Sequence, residues 1–185
     1  MIIDSKKRIL KGTGMRVNVI EKEVMDPLAE TAAEKIEISN FPKKITKITY
    51  FDNTKPNADI ILDTVKEKLN IEPIEAIKPA GAPATEEQME MAKKGDVIIL
   101  ALGDCGSCTT WVILDAIRLE KEGTPTICIC THKFTDYAHS LAKAQGVEDL
   151  RIVEINHPIA GLKDDEVELK TQKIIPEIKN ILNLN

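Results

Sequence analysis

Five times from Lys47 onward, a short apolar run is followed by a segment whose apolar residues recur at helical spacing. That alternation limits what the chain can fold into more than any other feature. Lys47 to Phe51 (KITYF) reads as a strand and stops at Asp52-Asn53. Pro56 stands where a helix can begin, because proline is tolerated in a first turn. The segment ADIILDTVKEKL then carries Ile60, Ile61, Val65 and Leu69 at helical spacing. Ile74 to Ile77 is a second short strand, closed by Lys78-Pro79. PAGAPA is a loop, and Thr85 caps TEEQMEMAKKG with Glu at the capping-box position and Gly95 at the end. The third strand runs from Asp96 to Leu102, an apolar run of the kind expected where both faces are covered. A helix opens at Cys108 or Thr109, runs through Glu122 and stops at Gly123. Pro125 to Thr131 (PTICICT) is the fourth strand, followed by a helix from Phe134 to Gln145 that stops at Gly146. Leu150 to Ile155 is the fifth strand, followed by Asn156-His157-Pro158. The last helix runs from about Asp164 to Leu182, with a kink expected at Pro176.

Repeated strand–helix units imply a parallel sheet with helices on both faces. Right-handed crossovers make the sheet doubly wound. We expect an α/β fold with a flavodoxin-like three-layer arrangement and strand order 2-1-3-4-5. Residues 45–185 would form this domain. Residues 1–44 break the alternation: MRVNVI is a weak strand candidate, followed by Asp26-Pro27 and an acidic segment. They read as an N-terminal arm or extra layer, packed on the domain or on a neighbouring subunit of a homo-oligomer.

Bulk properties remove several function classes. A chain of 185 residues can bury one substantial core. The formal net charge of −5 argues against a nucleic-acid partner, which needs a basic face. Aromatic residues are only 3 %, too few for a base-stacking platform. The longest apolar run, Val97 to Leu102, is too short to span a bilayer. MIIDSKKRILKGTG has no signal-peptide core, so the expectation is a soluble cytoplasmic protein with no membrane partner. Four cysteines in such a chain are chemical or buried rather than a disulfide scaffold. No GxGxxG or Walker A pattern occurs, and no cofactor is expected.

Open α/β sheets bind ligands beyond the carboxyl ends of their strands. Asp52, Asn53 and Lys55 follow the first strand, and Lys78 the second. Asp104, Cys105, Ser107, Cys108 and Thr109 follow the third. His132 follows the fourth and His157 the fifth, so two of the three histidines and a CxxC pair meet on one rim. Cys105 sits in a turn and Cys108 near a helix start, where outward N–H groups and the helix dipole favour thiolate over thiol. Their spacing brings two sulfurs within disulfide reach, so one thiol can attack and the other resolve. A small-residue turn with incidental cysteines is the competing reading. Cys128 and Cys130 alternate with isoleucines and read as core, although CxxC also supplies half of a zinc or iron–sulfur set. His157 is a candidate to orient substrate or move a proton. His132 is equally a candidate for the site or for solvent, and His139 lies within a helix. Asp104 either tunes Cys105 or braces its loop. Asp52, Asn53, Lys55, Lys78, Ser107 and Thr109 are candidates to bind substrate.

FDNTKPNAD (Phe51–Asp59), GDCGSCTTW (Gly103–Trp111), LEKEGTPT (Leu119–Thr126), the Thr131…Phe134 turn and NHPIAG (Asn156–Gly161) resemble the UGSC-like family, named for a selenocysteine-Gly-Ser-Cys motif. Cys105 stands where that motif has selenocysteine. The resemblance implies a nucleophilic or redox atom at Cys105 and a resolving thiol at Cys108. The family is similar, more distantly, to the selenoprotein B subunits of glycine and D-proline reductases, which implies reductive cleavage of a small substrate. The expected function is therefore a thiol-dependent redox enzyme acting on a small, anionic molecule. Its partners would be that substrate and an external thiol reductant or partner reductase subunit. A non-catalytic ligand-binding or assembly subunit and a zinc or iron–sulfur protein are the alternatives.

Overall fold

The computed structural model of the chain describes residues 35–184. The expected strand at MRVNVI, and with it most of the expected arm, lies outside the described residues. Ten elements alternate from β1 (Lys47–Asp52) to α5 (Asp164–Ile181). Between them come α1 (Ala58–Leu69), β2 (Glu72–Ile77), α2 (Glu86–Ala92), β3 (Val97–Gly103), α3 (Gly106–Lys121), β4 (Thr126–Thr131), α4 (His132–Ala144) and β5 (Ile152–Ile155). All strand pairs are parallel, in the order β2-β1-β3-β4-β5. This is the flavodoxin-like topology that the alternation predicts.

Burial follows strand position. Every residue of the central strands β3 and β4 is buried, whereas the edge strand β2 buries only Ala76. One face of the sheet packs Ile48, Tyr50, Ile99 and Ile127 under α1 and α5. The other packs Phe51, Ile98, Leu100, Cys128 and Cys130 under α2, α3 and α4. The expected core role of Cys128 and Cys130 is thus observed, both being fully buried.

Several boundaries differ from expectation for identifiable reasons. The capping box of α2 closes with Gln88 rather than Glu, because Thr85 is the N-cap and Gln88 the third helical residue. That helix ends at Ala92, before Gly95. α3 starts at Gly106, two residues before Cys108. α4 begins at His132, two residues before Phe134, with Thr131 as an N-cap whose side chain makes no cap hydrogen bond. Pro176 lies inside a continuous α5, on its exposed side, where the carbonyl deprived of a partner can reach water.

The segment before β1 is held at the amino ends of the strands. Ile36 donates its N–H to the Gly146 carbonyl at 2.8 Å. Ser39 N–H donates to the Glu120 carboxylate at 2.6 Å, and Arg151 donates to the Ser39 carbonyl at 2.6 Å. The Arg151 guanidinium also covers the Phe41 ring at 4.3 Å. The opposite pole, at the carboxyl ends, is left for the loops.

Candidate functional site

The order 2-1-3 makes the carboxyl ends of β1 and β3 a topological switch point, where open α/β sheets form their crevices. Asn53 stitches these two strand ends together. Its side chain donates to the Leu102 carbonyl at 2.9 Å and accepts the Leu102 N–H at 2.8 Å. Leu102 lies where the β3–β4 register shifts, between Ala101 and Gly103. Asn53 is thereby buried and fixes the backbone entering the cysteine turn. Its side-chain amide is thus committed to this internal pair.

Cys105 is the N-cap of α3. Its backbone is extended, and its Sγ accepts the Cys108 N–H at 3.3 Å. Ser, Thr, Asp or Asn is the usual cap, so a sulfur here occupies the place of an oxygen, among unpaired N–H groups at the positive end of the helix dipole. Cys105 is partly exposed, whereas Cys108 is fully buried. The two are paired as a disulfide with Cα atoms 5.4 Å apart. Cys108 Sγ also accepts the Asp104 N–H at 3.3 Å. Ser107 is exposed, its hydroxyl 3.7 Å from Cys105 Sγ.

The turn is packed closely onto β4. A Cβ on Gly103 would lie 2.6 Å from Cys130 Sγ and 2.9 Å from Thr109 Oγ1, so only glycine fits. Thr109 is fully buried there, and its hydroxyl has no hydrogen-bond partner among the described residues. It is thus part of the packing beneath the turn, not of the open rim. Burial pushes the Cys130 thiol up to about 12 and the Cys128 thiol well above its ordinary value.

Three loops converge beside the turn. Asp104 Oδ1 lies 2.8 Å from His157 Nδ1, and Asp104 Oδ2 accepts the Ala160 N–H at 3.3 Å. Thr131 Oγ1 is 3.3 Å from the same His157 nitrogen and donates to the Gly103 carbonyl at 3.4 Å. His132 Nδ1 accepts the His157 N–H at 3.0 Å. Phe134 meets the His157 ring at a centroid distance of 6.2 Å. Thr131 stands at the end of β4, in the turn that carries part of the family resemblance, and its hydroxyl is what joins the Gly103 carbonyl to His157.

The remaining candidates separate from this cluster. Lys78 is 2 % exposed and forms a buried ion pair with Asp115 of α3. Its charge is spent internally and does not reach the rim, because Asp115, which also accepts the Ala84 N–H at 3.1 Å, draws it under the loop. Burial pulls the Lys78 ammonium below its ordinary range despite this partner. Asp115 went unnoticed in the sequence; an acid at the apolar face of a helix, between Ile113 and Ala116, was the available signal. Asp52 and Lys55 line a cleft of about 550 Å³ with Thr54, Asn57, Asp59 and Asp164, a lining that includes neither cysteine. Burial, reinforced by Asp59 and Asp63, raises the Asp52 carboxyl. His139 is exposed on α4. Among the described residues, no three His, Cys, Asp or Glu side chains gather where they could hold a metal ion, and no helix is long and apolar enough to cross a membrane.

A flavodoxin-like sheet with a cysteine pair at its switch point defines the class of protein. The chain belongs to the UGSC family, whose model matches residues 23–184. No curated protein matches it significantly. Among solved structures, one similar chain is a short-chain flavodoxin associated with a bacterial microcompartment. It is 12 % identical, with a TM-score of 0.42, over 74 % of this chain and 97 % of that one.

Proposed function

We propose that this protein is a thiol-dependent redox enzyme that reduces a small, anionic substrate through Cys105 and Cys108. One observation carries the reading: Cys105 caps α3 with a partly exposed sulfur, while its partner sulfur lies buried one turn on. The exposed position suits the attacking thiol and the buried one the resolving thiol. Unpaired N–H groups at the same helix start favour both a thiolate and an anionic ligand.

The Cys105 thiolate attacks one atom of the substrate's weak bond. A sulfur–substrate bond forms, and the electron pair of the broken bond leaves with the other fragment, which takes up a proton. The Cys108 thiolate then attacks Cys105 Sγ, releasing the second fragment, which also takes up a proton. Two electrons pass to substrate as the dithiol becomes the disulfide. An external dithiol or a partner reductase subunit returns the pair to the reduced state. Cleavage of this kind would parallel the selenoprotein reductases, with sulfur in place of selenium.

Hydrogen peroxide serves as a stand-in electrophile for the test. Attack on peroxide yields a sulfenic acid at Cys105 and hydroxide, and Cys108 then displaces water to form the disulfide. Reduced wild-type protein should close the pair on mild oxidation. Cys108→Ser should stop at the sulfenic acid, trapped on Cys105 by dimedone and read by mass spectrometry. Trapping on Cys108 in Cys105→Ser at the rate seen for Cys105 would contradict the assignment.

A further inference from the structure

The two histidines beside the cysteine turn are held by opposite ring environments, and this separates their roles. An ionised carboxylate only accepts hydrogen bonds. The 2.8 Å contact between Asp104 Oδ1 and His157 Nδ1 therefore places the proton of neutral His157 on Nδ1. Nε2 is left as the nitrogen that takes up and releases protons. The Asp104 side chain is 3 % exposed and its other oxygen holds the Ala160 N–H, so it is fixed, whereas the His157 side chain is 31 % exposed. At His132 the arrangement is reversed. Its Nδ1 accepts the His157 backbone N–H at 3.0 Å, so neutral His132 carries its proton on Nε2.

We propose that His157 is the proton donor of the reductive step, that Asp104 is its orienting partner, and that His132 is a positioning residue that holds the His157 backbone. The inference rests on the thiol-redox reading above and names the proton's source.

Charge ties the pair to the nucleophile. Asp104 and Cys105 are neighbours in the chain, with Cα atoms about 3.8 Å apart as across any trans peptide. While His157 is neutral, the Asp104 carboxylate opposes a thiolate at Cys105. Once Nε2 is protonated, the Asp104–His157 pair has no net charge and the α3 N-terminus favours the thiolate. Nucleophile and proton donor are then present in the same state. When Cys105 attacks, the departing fragment takes its electron pair from the broken bond and its proton from Nε2, and His157 returns to neutral. Other titratable and charged groups stand on the elements around this site. His132 approaches from α4, Cys108 belongs to α3 and Cys105 is its N-cap. From α5, the Lys170 ammonium donates to the Asn156 and Pro158 carbonyls at 3.1 and 2.8 Å.

The test uses the reduced full-length protein and iodoacetamide, with the rate at Cys105 followed against pH by mass spectrometry. Ring tautomers are read in parallel by nitrogen NMR. The wild-type rate should require two ionisations, with Nδ1–H at His157 and Nε2–H at His132. His157→Gln should leave one ionisation and move the thiolate midpoint up by about one pH unit. Asp104→Asn should move it down. His132→Asn, whose side-chain oxygen can accept the same backbone N–H, should keep the two-ionisation profile, and His132→Ala should weaken it. Both ionisations surviving in His157→Gln, equal directions for the His157 and Asp104 variants, or an Nε2–H tautomer at His157 would overturn the assignment while leaving Cys105 as nucleophile. Labelling of wild-type Cys105 no faster than Cys128 at every pH would overturn both it and the thiol-redox reading.

Discussion

A carboxylate can brace a site or burden it, and Asp52 and Asp104 do these different things within one rim. Asp104 is bonded to His157 and to a backbone N–H. Asp52 holds the Thr54 N–H at 2.6 Å, yet burial and the charges of Asp59 and Asp63 keep its carboxyl above the ordinary value. A carboxyl raised in the folded state gives stability that is full below the unfolded value and lost as pH rises through the folded one. Asp52→Asn keeps an acceptor for Thr54 and removes that loss. Its melting temperature should exceed the wild type's at pH 7 and match it at pH 3; a lower value at pH 7 would contradict the account. At this scale the sequence shows which polar residues stand at strand ends, because position alone decides that. It does not show where each side chain is committed. Asn53 and Lys78 looked like substrate ligands because their partners, Leu102 and Asp115, lie 49 and 37 residues away.

Among the elements, α3 links the site to the core. Its first residues hold the cysteine turn, and Asp115, seven residues beyond Cys108, anchors Lys78 and the loop after β2. Removing one member of a buried pair leaves an uncompensated charge, so Asp115→Ala should destabilise the fold by about 3–5 kcal/mol in urea unfolding. A Lys78→Met/Asp115→Leu double variant should recover most of that loss, because an apolar pair needs no compensation. Equal losses in both proteins would mean that packing, not charge, decides the site. Elements were legible where burial dictates pattern. β3 reads directly from its apolar run, since both of its faces are covered. The start of α4 lies two residues earlier than its apolar spacing indicates, and its N-cap Thr131 turns its hydroxyl toward Gly103 and His157 rather than onto the helix. The residue at that boundary thus stands beside the cysteine turn and His157.

Across the described residues, the cysteine turn and the anchoring contacts of the segment before β1 occupy opposite ends of the sheet. The carboxyl ends carry the cysteine turn and His157. At the amino ends, buried Glu120 accepts the Thr126 N–H and hydroxyl, the Ser39 N–H and Arg151. Glu120→Ala should therefore destabilise the protein by about 3 kcal/mol, measured by urea unfolding, while the rate of Cys105 labelling in the folded protein stays that of the wild type. A fall in that rate alongside the lost stability would show the two poles to be coupled. The strand order was legible from the strand–helix alternation, because right-handed crossovers leave few topologies. That Asp104, His132 and His157 share the carboxyl rim was legible in the same way, whereas the hydrogen bonds joining them and Thr131 were not, since these link three loops whose approach no local pattern encodes. The most direct measurement is site-resolved iodoacetamide labelling of the reduced protein at neutral pH. Cys105 should be modified at least about tenfold faster than Cys128, as a thiolate at a helix N-terminus must be when compared with a buried thiol. Equal, slow labelling at the two positions would contradict the account.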